Sequence, residues 1–198
     1  MGASFLAAVA LGFFLLLSSC ATAASRHAPL PEKPVPVPER IMGTGAASHE
    51  RMARFLLANN PGLDGEYARV IARLYQEEAA AEGVNADVAF SQMCVETGFL
   101  RFGGLVTPDM NNFCGLGSIG PGQRGNSFPD ARTGVRAHVQ HLKAYASAEP
   151  LALPLVDPRY RYVTPKGKAP LIAALAGSWA SDPQYGNKIL NMLSRLYS

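Results

Sequence analysis

The sequence predicts a mainly α domain of the α+β class, a helical bundle around a buried central helix with a small loop or β lobe that forms a cleft. Three observations predict this fold. Much of the chain after residue 48 repeats apolar residues at helical spacing, which indicates amphipathic helices. The stretch from Ala86 to Gly98 carries apolar residues in every direction, as expected of a buried helix. The region from Phe99 to Pro129 is rich in glycine without a sustained period, which indicates turns and a small hairpin lobe.

The length and charge of the chain restrict its class. With 198 residues there is room for one domain of ordinary size plus appendages. The net charge is +3, and no basic run is longer than a dipeptide. This charge is too mild for a nucleic-acid-binding surface, so no nucleic-acid partner is expected. It suits a weakly acidic polymer as a partner.

The first residues have the pattern of an export signal. Residues 7–17 form an uninterrupted small and apolar run that is too short to span a membrane as a mature helix. The following Leu17-Ser18-Ser19-Cys20 resembles the bacterial lipobox, in which the signal peptide is cut before a cysteine that is then acylated. We therefore expect a signal peptide at 1–19 and lipidation of Cys20, although residues 1–4 lack the usual Lys or Arg. The alternative is a plain secretory signal that is cut near residues 21–23.

Residues 20–45 are predicted to form the lipidated terminus and a proline-rich linker. Prolines recur between residues 29 and 38, a composition typical of a polyproline II spacer. Such a spacer would hold a domain away from a membrane surface. The remaining residues, 46–198, are predicted to form the folded domain.

Two amphipathic helices open this domain. The first covers His49–Asn59, and the second covers Glu66–Glu82, with Asp64 as its N-cap and Gly83 as its stop. Three glutamates near the end of the second helix are interpreted as a solvated charged face; they are Glu77, Glu78 and Glu82.

The central helix carries the most informative residue. Asn85 is placed to cap it and Gly98 to end it in the left-handed conformation. Near its C-terminal end lies a carboxyl group, that of Glu96. Burial and the negative end of the helix dipole both raise a carboxyl pKa. A carboxylic acid that stays protonated near neutral pH can act as a general acid.

Three helices are predicted after the lobe. The first covers Ala131–Ser147, the second Pro170–Ala180 with proline at its first position, and the last runs from an Asp182-Pro183 cap through Leu196.

Three segments carry a resemblance to a known family. They are Glu-Thr-Gly at the end of the central helix, the loop Asn111-Asn112-Phe113-Cys114-Gly115-Leu116-Gly117, and the distal stretch from Trp179 to Ile189. In this order and at these separations they resemble the glucosaminidase family of peptidoglycan hydrolases, glycoside hydrolase family 73, which has a lysozyme-like fold. The resemblance covers roughly residues 48–198. It implies cleavage of the β-1,4 bond after N-acetylglucosamine in cell-wall glycan, with Glu96 as general acid.

The resemblance and the residue types together give the candidate site. Tyr185 matches the family's aromatic position near the acid, and it is expected to orient the acetamido group or stabilise an oxocarbenium ion. The glycine- and asparagine-rich loop lets the backbone approach a sugar closely, and amides pair with its hydroxyl or acetamido groups. The expected substrate-binding residues are Asn112, Phe113, Gly115, Asn126, Trp179, Tyr160 and Tyr162.

A second catalytic carboxylate is harder to assign. Glycosidases generally use two carboxylates, but the lobe offers only Asp109 and Asp130. The resembling family commonly has a glutamate where this chain has Asn126, and Asp130 is either a catalytic residue or the N-cap of the next helix. Three schemes remain open: attack by water with a distant aspartate as base, attack by the substrate's N-acetyl oxygen, or closure of an anhydro ring as in lytic transglycosylases.

The remaining cysteines and histidines give structural predictions. Cys94 and Cys114 are an even pair in an exported domain and predict a disulfide, with two buried thiols as the alternative. His138 and His141 have no HExxH pattern or nearby acidic ligand, so neither a metal nor another cofactor is expected.

The competing function is a catalytically weak wall-binding lipoprotein that tethers the membrane to peptidoglycan. A muramidase or lytic transglycosylase is a further alternative. In each case we expect a monomer in the cell envelope, anchored through Cys20 to a bacterial membrane, with the outer membrane facing the periplasm as the expected site.

Overall fold

A computed structural model describes residues 1–2, 35–118, 120 and 122–198. These residues form five α-helices and contain no β-strand, which confirms a mainly α, lysozyme-like architecture. None of their helices is long and apolar enough to cross a membrane. The helices are α1 (His49–Asn59), α2 (Gly65–Glu82), α3 (Ala86–Thr97), α4 (Ala131–Ala146) and α5 (Tyr185–Tyr197).

Helix α3 is the buried centre of the bundle, as the sequence predicts. Residues 86–94 are all buried, and α3 packs against α2, α4 and α5. The Asn85 side chain accepts from the backbone N–H groups of Asp87 and Val88 at its start, and Gly98 ends it at φ 58°. Local caps and the all-round apolar sequence therefore agree with the burial that the tertiary structure imposes.

The predicted solvated face of α2 is wrong at two of its three glutamates. Glu78 and Glu82 are buried because helix α4 covers them. Arg132 and Arg136 bind Glu78, and Lys143 donates to Glu82 at 2.9 Å. Burial raises the pKa of Glu82, but the backbone N–H groups of residues 152 and 153, together with Lys143, outweigh it and leave that pKa below its ordinary value.

The predicted helix at Pro170–Ala180 is also wrong. Only a short 3-10 turn forms there, over Ile172–Leu175. The backbone of this segment is instead used in pairing, since Ile41 N–H donates to the Pro170 carbonyl and Ile172 N–H donates to the Glu39 carbonyl. The turn at Gly177 (φ 78°) then directs Trp179 towards α3. The last helix is confirmed but starts at Tyr185, later than the predicted Asp182-Pro183 cap.

The folded domain begins before the predicted boundary at residue 46. Ile41 is fully buried in the core, and residues 40 and 42 pair with residues 171 and 84. The signal peptide at 1–19, Cys20 and most of the proline-rich linker lie outside the described residues, so their predictions stand as predictions.

The lobe between α3 and α4 is irregular, with a 3-10 turn at Pro108–Met110 and an isolated bridge between Gly120 and Gln123. A glycine on α4 lets the lobe approach this helix closely. A Cβ added at Gly134 would overlap the carbonyl oxygen of Asn111, so only glycine permits this contact without movement. The lobe is thereby seated on α4, beside the end of α3.

Candidate active site

A cleft of about 380 Å³ lies between the C-terminal end of α3, the lobe and the start of α5. Four parts of the chain line it. They are Glu96 and Thr97, residues 102–106, the loop residues Asn112, Cys114, Gly115 and Ser118, and the distal residues Trp179, Ala180 and Tyr185. The three segments that carry the family resemblance thus meet at one place.

The wall that follows α3 has an unusual backbone. Phe99, Leu100 and Phe102 all adopt positive φ values between 51° and 60°. This conformation costs non-glycine residues roughly 1–2 kcal/mol each. Thr97 stabilises the turn, because its hydroxyl accepts from the Leu100 N–H and its carbonyl accepts from the Phe102 N–H.

Glu96 lies in this cleft with two donors on the same oxygen. The indole N–H of Trp179 donates to Oε1 at 2.9 Å, and the hydroxyl of Tyr185 donates to Oε1 as well. No described residue donates to Oε2. A protonated carboxyl that accepts two hydrogen bonds at Oε1 carries its proton on Oε2. The acidic proton is therefore available to a ligand.

The surroundings of Glu96 also set its protonation. The cleft walls desolvate the carboxyl of Glu96 and raise its pKa, although the residue remains exposed to solvent at the cleft. The hydrogen bonds from Tyr185 and Trp179 lower that pKa in part. The net direction is upwards, as the sequence predicts. This is the property required of a general acid that works near neutral pH.

A chain of buried hydrogen bonds continues from Tyr185 into the bundle. Gln92, one helical turn before Glu96, donates from Nε2 to the Tyr185 hydroxyl at 2.9 Å. His138 lies 3.0 Å from Gln92 Oε1 through Nε2, and 2.8 Å from the Tyr75 hydroxyl through Nδ1. Burial lowers the pKa of His138 to about 3, so the ring is neutral.

Along this series of hydrogen bonds, each donor is directed towards Glu96. Gln92 Oε1 can only accept, so His138 must donate from Nε2, and its Nδ1 then accepts from the Tyr75 hydroxyl. The Tyr185 oxygen accepts from Gln92, which leaves its proton for Glu96. The opposite direction would leave the buried Tyr75 hydroxyl proton without an acceptor among the described residues. We refer to Tyr75, His138, Gln92 and Tyr185 as the relay.

The structure does not place a second carboxylate in the cleft. Glu96 is the one acidic residue among the described residues that line it. Asp130, predicted as a catalytic candidate, is instead the N-cap of α4, where it accepts from the N–H of Thr133 at 2.8 Å. That bond lowers the pKa of Asp130, because it favours the charged form. Asp109 is exposed and does not line the cleft.

The asparagine-rich loop contributes its backbone more than its side chains. Gly115 lines the cleft as predicted. The Asn112 side chain faces the loop itself, where it donates to the carbonyls of Leu116 and Asn126 and accepts from the Leu116 N–H. Phe113 is fully buried in the core, so its predicted contact with substrate is wrong. Asn112 and Phe113 therefore hold the loop in place.

Three further predicted residues lie apart from Glu96. Asn126 and Tyr162 line a second groove on the other side of the loop. Tyr160 lines neither the cleft nor this groove, and its ring packs against Lys166, whose Nζ lies 4.3 Å from the ring centre. Trp179, by contrast, is in the cleft: it is half-buried and packs against the rings of His141 and Tyr145 with centroids 5.1 and 5.3 Å away. Trp179 thus packs against α4 and donates a hydrogen bond to Glu96.

The predicted Cys94–Cys114 disulfide is not formed. Both cysteines are free and buried. On α3, Cys94 points away from Glu96 towards Arg195 of α5, whereas Cys114 lines the cleft on the side of Glu96. Burial and the nearby Glu96 raise the pKa of Cys114 well above its ordinary value, so its thiol stays neutral.

The two histidines of α4 have other partners than a metal. His138 belongs to the relay, and His141 Nδ1 lies 2.7 Å from Asp157. Within the described part of the chain, no three His, Cys, Asp or Glu side chains are grouped as metal ligands.

Sequence reasoning missed three of the four relay residues, Tyr75, Gln92 and His138. Gln92 could have been found, because a residue four positions before Glu96 shares its face of the helix. Tyr75 and His138 gave no such signal, since they come from α2 and α4 and meet Gln92 only in the folded bundle.

Comparison with known proteins points to the same chemistry. Residues 72–198 match the family model Glucosaminidase, described as mannosyl-glycoprotein endo-beta-N-acetylglucosaminidase. The matched region contains Glu96, the loop, Trp179 and Tyr185. An uncharacterized protein of Borreliella burgdorferi (strain B31) is 40% identical over 156 residues, which cover 79% of this chain and 76% of that protein.

Proposed function

Because this chain belongs to the glucosaminidase family, we propose that it cleaves the β-1,4 bond after N-acetylglucosamine in peptidoglycan glycan, with Glu96 as the general acid. Membership of the family indicates a glycoside hydrolase that acts on cell-wall glycan. The bond, the acid and the mechanism are the finer part of the proposal. The observation that carries it is the carboxyl of Glu96, which has a raised pKa, two donors on Oε1 and Oε2 free for a ligand.

The single carboxylate favours participation by the substrate. In this scheme Glu96 Oε2 gives its proton to the glycosidic oxygen as the bond from C1 to that oxygen breaks. The carbonyl oxygen of the substrate's acetamido group bonds to C1 and forms a cyclic oxazolinium ion. Water then adds to C1 as the bond between C1 and the acetamido oxygen breaks, and Glu96, now a carboxylate, takes a proton from that water. The product has a reducing N-acetylglucosamine end, and no second protein carboxylate is needed.

Glu96→Gln tests the proposed acid. The amide is nearly isosteric but cannot donate an acidic proton, so wall hydrolysis in a zymogram should disappear. The free energy of unfolding should change by less than about 1 kcal/mol, because Glu96 makes few contacts that the amide cannot keep. Glu149→Gln is the matched control, an exposed glutamate outside the cleft, and it should keep full activity.

Product masses separate the alternatives. Hydrolysis after N-acetylglucosamine adds one water and leaves a reducing N-acetylglucosamine. A muramidase would leave a reducing muramyl end, and a lytic transglycosylase a 1,6-anhydro-muramyl end. An active Glu96→Gln protein would remove Glu96 from the mechanism, and a wild type that binds walls without cutting them would support the tethering alternative.

We also propose that the enzyme is a lipoprotein of the cell envelope. The support comes from the sequence of residues 7–20 and from the wall substrate of the family. A lipid at Cys20 would place the domain at a membrane, with the outer membrane facing the periplasm as the proposed site. Two or three acyl chains exceed the single chain that gives only marginal membrane binding.

A further inference from the structure

A second groove, of about 450 Å³, lies beside the catalytic cleft. Its lining includes three arginines, Arg124, Arg159 and Arg161, together with Asn126 and Tyr162. No carboxylate lines it among the described residues. We refer to it as the arginine groove.

The arginines of this groove are not neutralised by the protein. No ion pair among the described residues includes Arg124, Arg159 or Arg161. Arg132 and Arg136, in contrast, are both bound to glutamates of α2. The positive charge of the groove is therefore available to an external anion.

Tyr162 orders two of these guanidinium groups at the surface. The guanidinium carbons of Arg159 and Arg161 each lie 4.8 Å from the centre of its ring, and Arg161 also donates to its hydroxyl at 2.7 Å. Arg124 donates to the Thr107 hydroxyl at 3.2 Å. Each guanidinium has five N–H donors, so these contacts leave most of them free. Tyr162 remains 57% exposed, which makes this an open binding surface.

The arginine groove and the cleft share one wall. Gly115 and Ser118 face the cleft, whereas Gly117 between them lines the groove. The Asn126 N–H donates to the Leu116 carbonyl at 2.7 Å and fixes the groove to the same loop. A polymer lying in the cleft would therefore have its side branches within reach of the groove.

We propose that the arginine groove binds carboxylates of the peptide stems on the glycan strand that is being cut. This inference rests on the proposed function, since it names a further feature of the same substrate. The stems branch from the glycan itself and carry free carboxylates. The planar fork of a guanidinium matches a carboxylate with two parallel hydrogen bonds. A phosphate polymer of the wall is also negatively charged, but nothing requires it to lie beside the glycan strand in the cleft.

The test uses two substrates and two triple variants. The substrates are purified walls with intact stems and the same glycan after an amidase has removed the stems. The groove variant is Arg124→Gln/Arg159→Gln/Arg161→Gln. The control is Arg54→Gln/Arg69→Gln/Arg73→Gln, which removes the same charge from exposed positions on α1 and α2. Both turnover and cosedimentation with the insoluble wall are measured.

The groove variant should lose about tenfold or more in kcat/KM on stem-bearing walls, mainly through KM, because it lacks the charged hydrogen bonds to the stem carboxylates. On stem-free glycan it should match the wild type, and the control should match the wild type on both substrates. An equal loss on both substrates, or no loss on either, would overturn the proposal. So would tighter cosedimentation of the wild type with a stem-free wall that keeps its phosphate polymers, because that result would assign the groove to phosphate.

The two proposals fail separately. If the wild type cuts neither substrate, the proposed hydrolase activity fails, but cosedimentation still reports on the groove. If binding then depends on the groove and occurs only with stem-bearing walls, the result would support stem binding by the groove in a protein that binds the wall without cutting it. If the groove variant and the wild type both cut stem-bearing and stem-free glycan equally well, the hydrolase activity would be supported and a role for the groove in stem binding would be excluded.

Discussion

The carboxyl of Glu96 is subject to two influences that act in opposite directions on its pKa. Burial raises this pKa, whereas the hydrogen bonds from Tyr185 and Trp179 favour the charged form and lower it. The protonated form is the active one in the proposed mechanism. Activity should therefore fall as the pH rises through the pKa of Glu96, which gives the alkaline limb of the pH profile.

Tyr185→Phe tests this balance at a single residue. Removing the hydroxyl takes away a bond that stabilises the charged form, so the pKa of Glu96 should rise further. The alkaline limb of kcat/KM should then move to higher pH, while kcat falls because the acid is less well oriented. Tyr197→Phe is the control on the same helix, since its hydroxyl binds Asp87 and not Glu96. A limb that stays in place or moves to lower pH would mean that Glu96 is not the group that titrates.

At the scale of the elements, the relay connects four helices to Oε1 of Glu96. Tyr75 comes from α2, Gln92 and Glu96 from α3, His138 from α4 and Tyr185 from α5. The Tyr75 hydroxyl selects the tautomer of His138, which sets the orientation of the Gln92 amide. Because that amide donates to the Tyr185 oxygen, the Tyr185 hydroxyl proton is left to donate to Glu96. Helix packing thus determines the direction of a hydrogen bond at the site.

Tyr75→Phe tests the direction of the relay. Without this hydroxyl the His138 tautomer is no longer selected, and part of the Tyr185 donation to Glu96 should be lost. The alkaline limb should move to higher pH by less than in Tyr185→Phe, and Tyr75→Phe should add nothing in the Tyr185→Phe background. Imidazole ¹⁵N shifts should show the Nε2-protonated tautomer of His138 in the wild type.

A loss of packing alone would not reproduce this pattern. Tyr67→Phe is the matched control, because Tyr67 lies on α2, is half-buried and is outside the relay. It should leave the pH profile unchanged. An additive effect of Tyr75→Phe in the Tyr185→Phe background would show that Tyr75 acts on Glu96 by another route.

The elements also show what the sequence could and could not predict. The start and end of α3 follow from Asn85 and Gly98, which act on neighbouring residues. The backbone conformation of residues 170–180 depends instead on hydrogen bonds with residues 39–41, which lie far away in the sequence. The burial of Glu78 and Glu82 likewise depends on α4, which supplies their cationic partners more than 50 residues later. Local signals predicted the helix that carries Glu96, and long-range packing determined which residues surround it.

At the scale of the whole molecule, the folded domain begins near residue 34, whereas the predicted lipidation site is Cys20. The described residues that line the cleft lie between Glu96 and Tyr185. Residues near both ends of the domain make contacts with the helical bundle. Ile41 is buried in the core, and the Tyr197 hydroxyl donates to Asp87 at 2.6 Å at the start of α3. The catalytic unit should therefore work equally well with or without a lipid at Cys20.

Cys20→Ser separates anchoring from catalysis. A fatty acid analogue fed to cells should label the wild type, and the wild type should sediment with membranes, whereas Cys20→Ser should be unlabelled and found in the soluble envelope fraction. Ser19→Ala, the control, keeps the cysteine and should be labelled. Both proteins should digest isolated walls at the same rate, because the described residues that line the cleft lie between residues 96 and 185.

An unlabelled, soluble wild type would replace the lipid anchor with a secretory signal cut near residues 21–23. A fall in rate on isolated walls would show that the residues around Cys20 take part in the reaction.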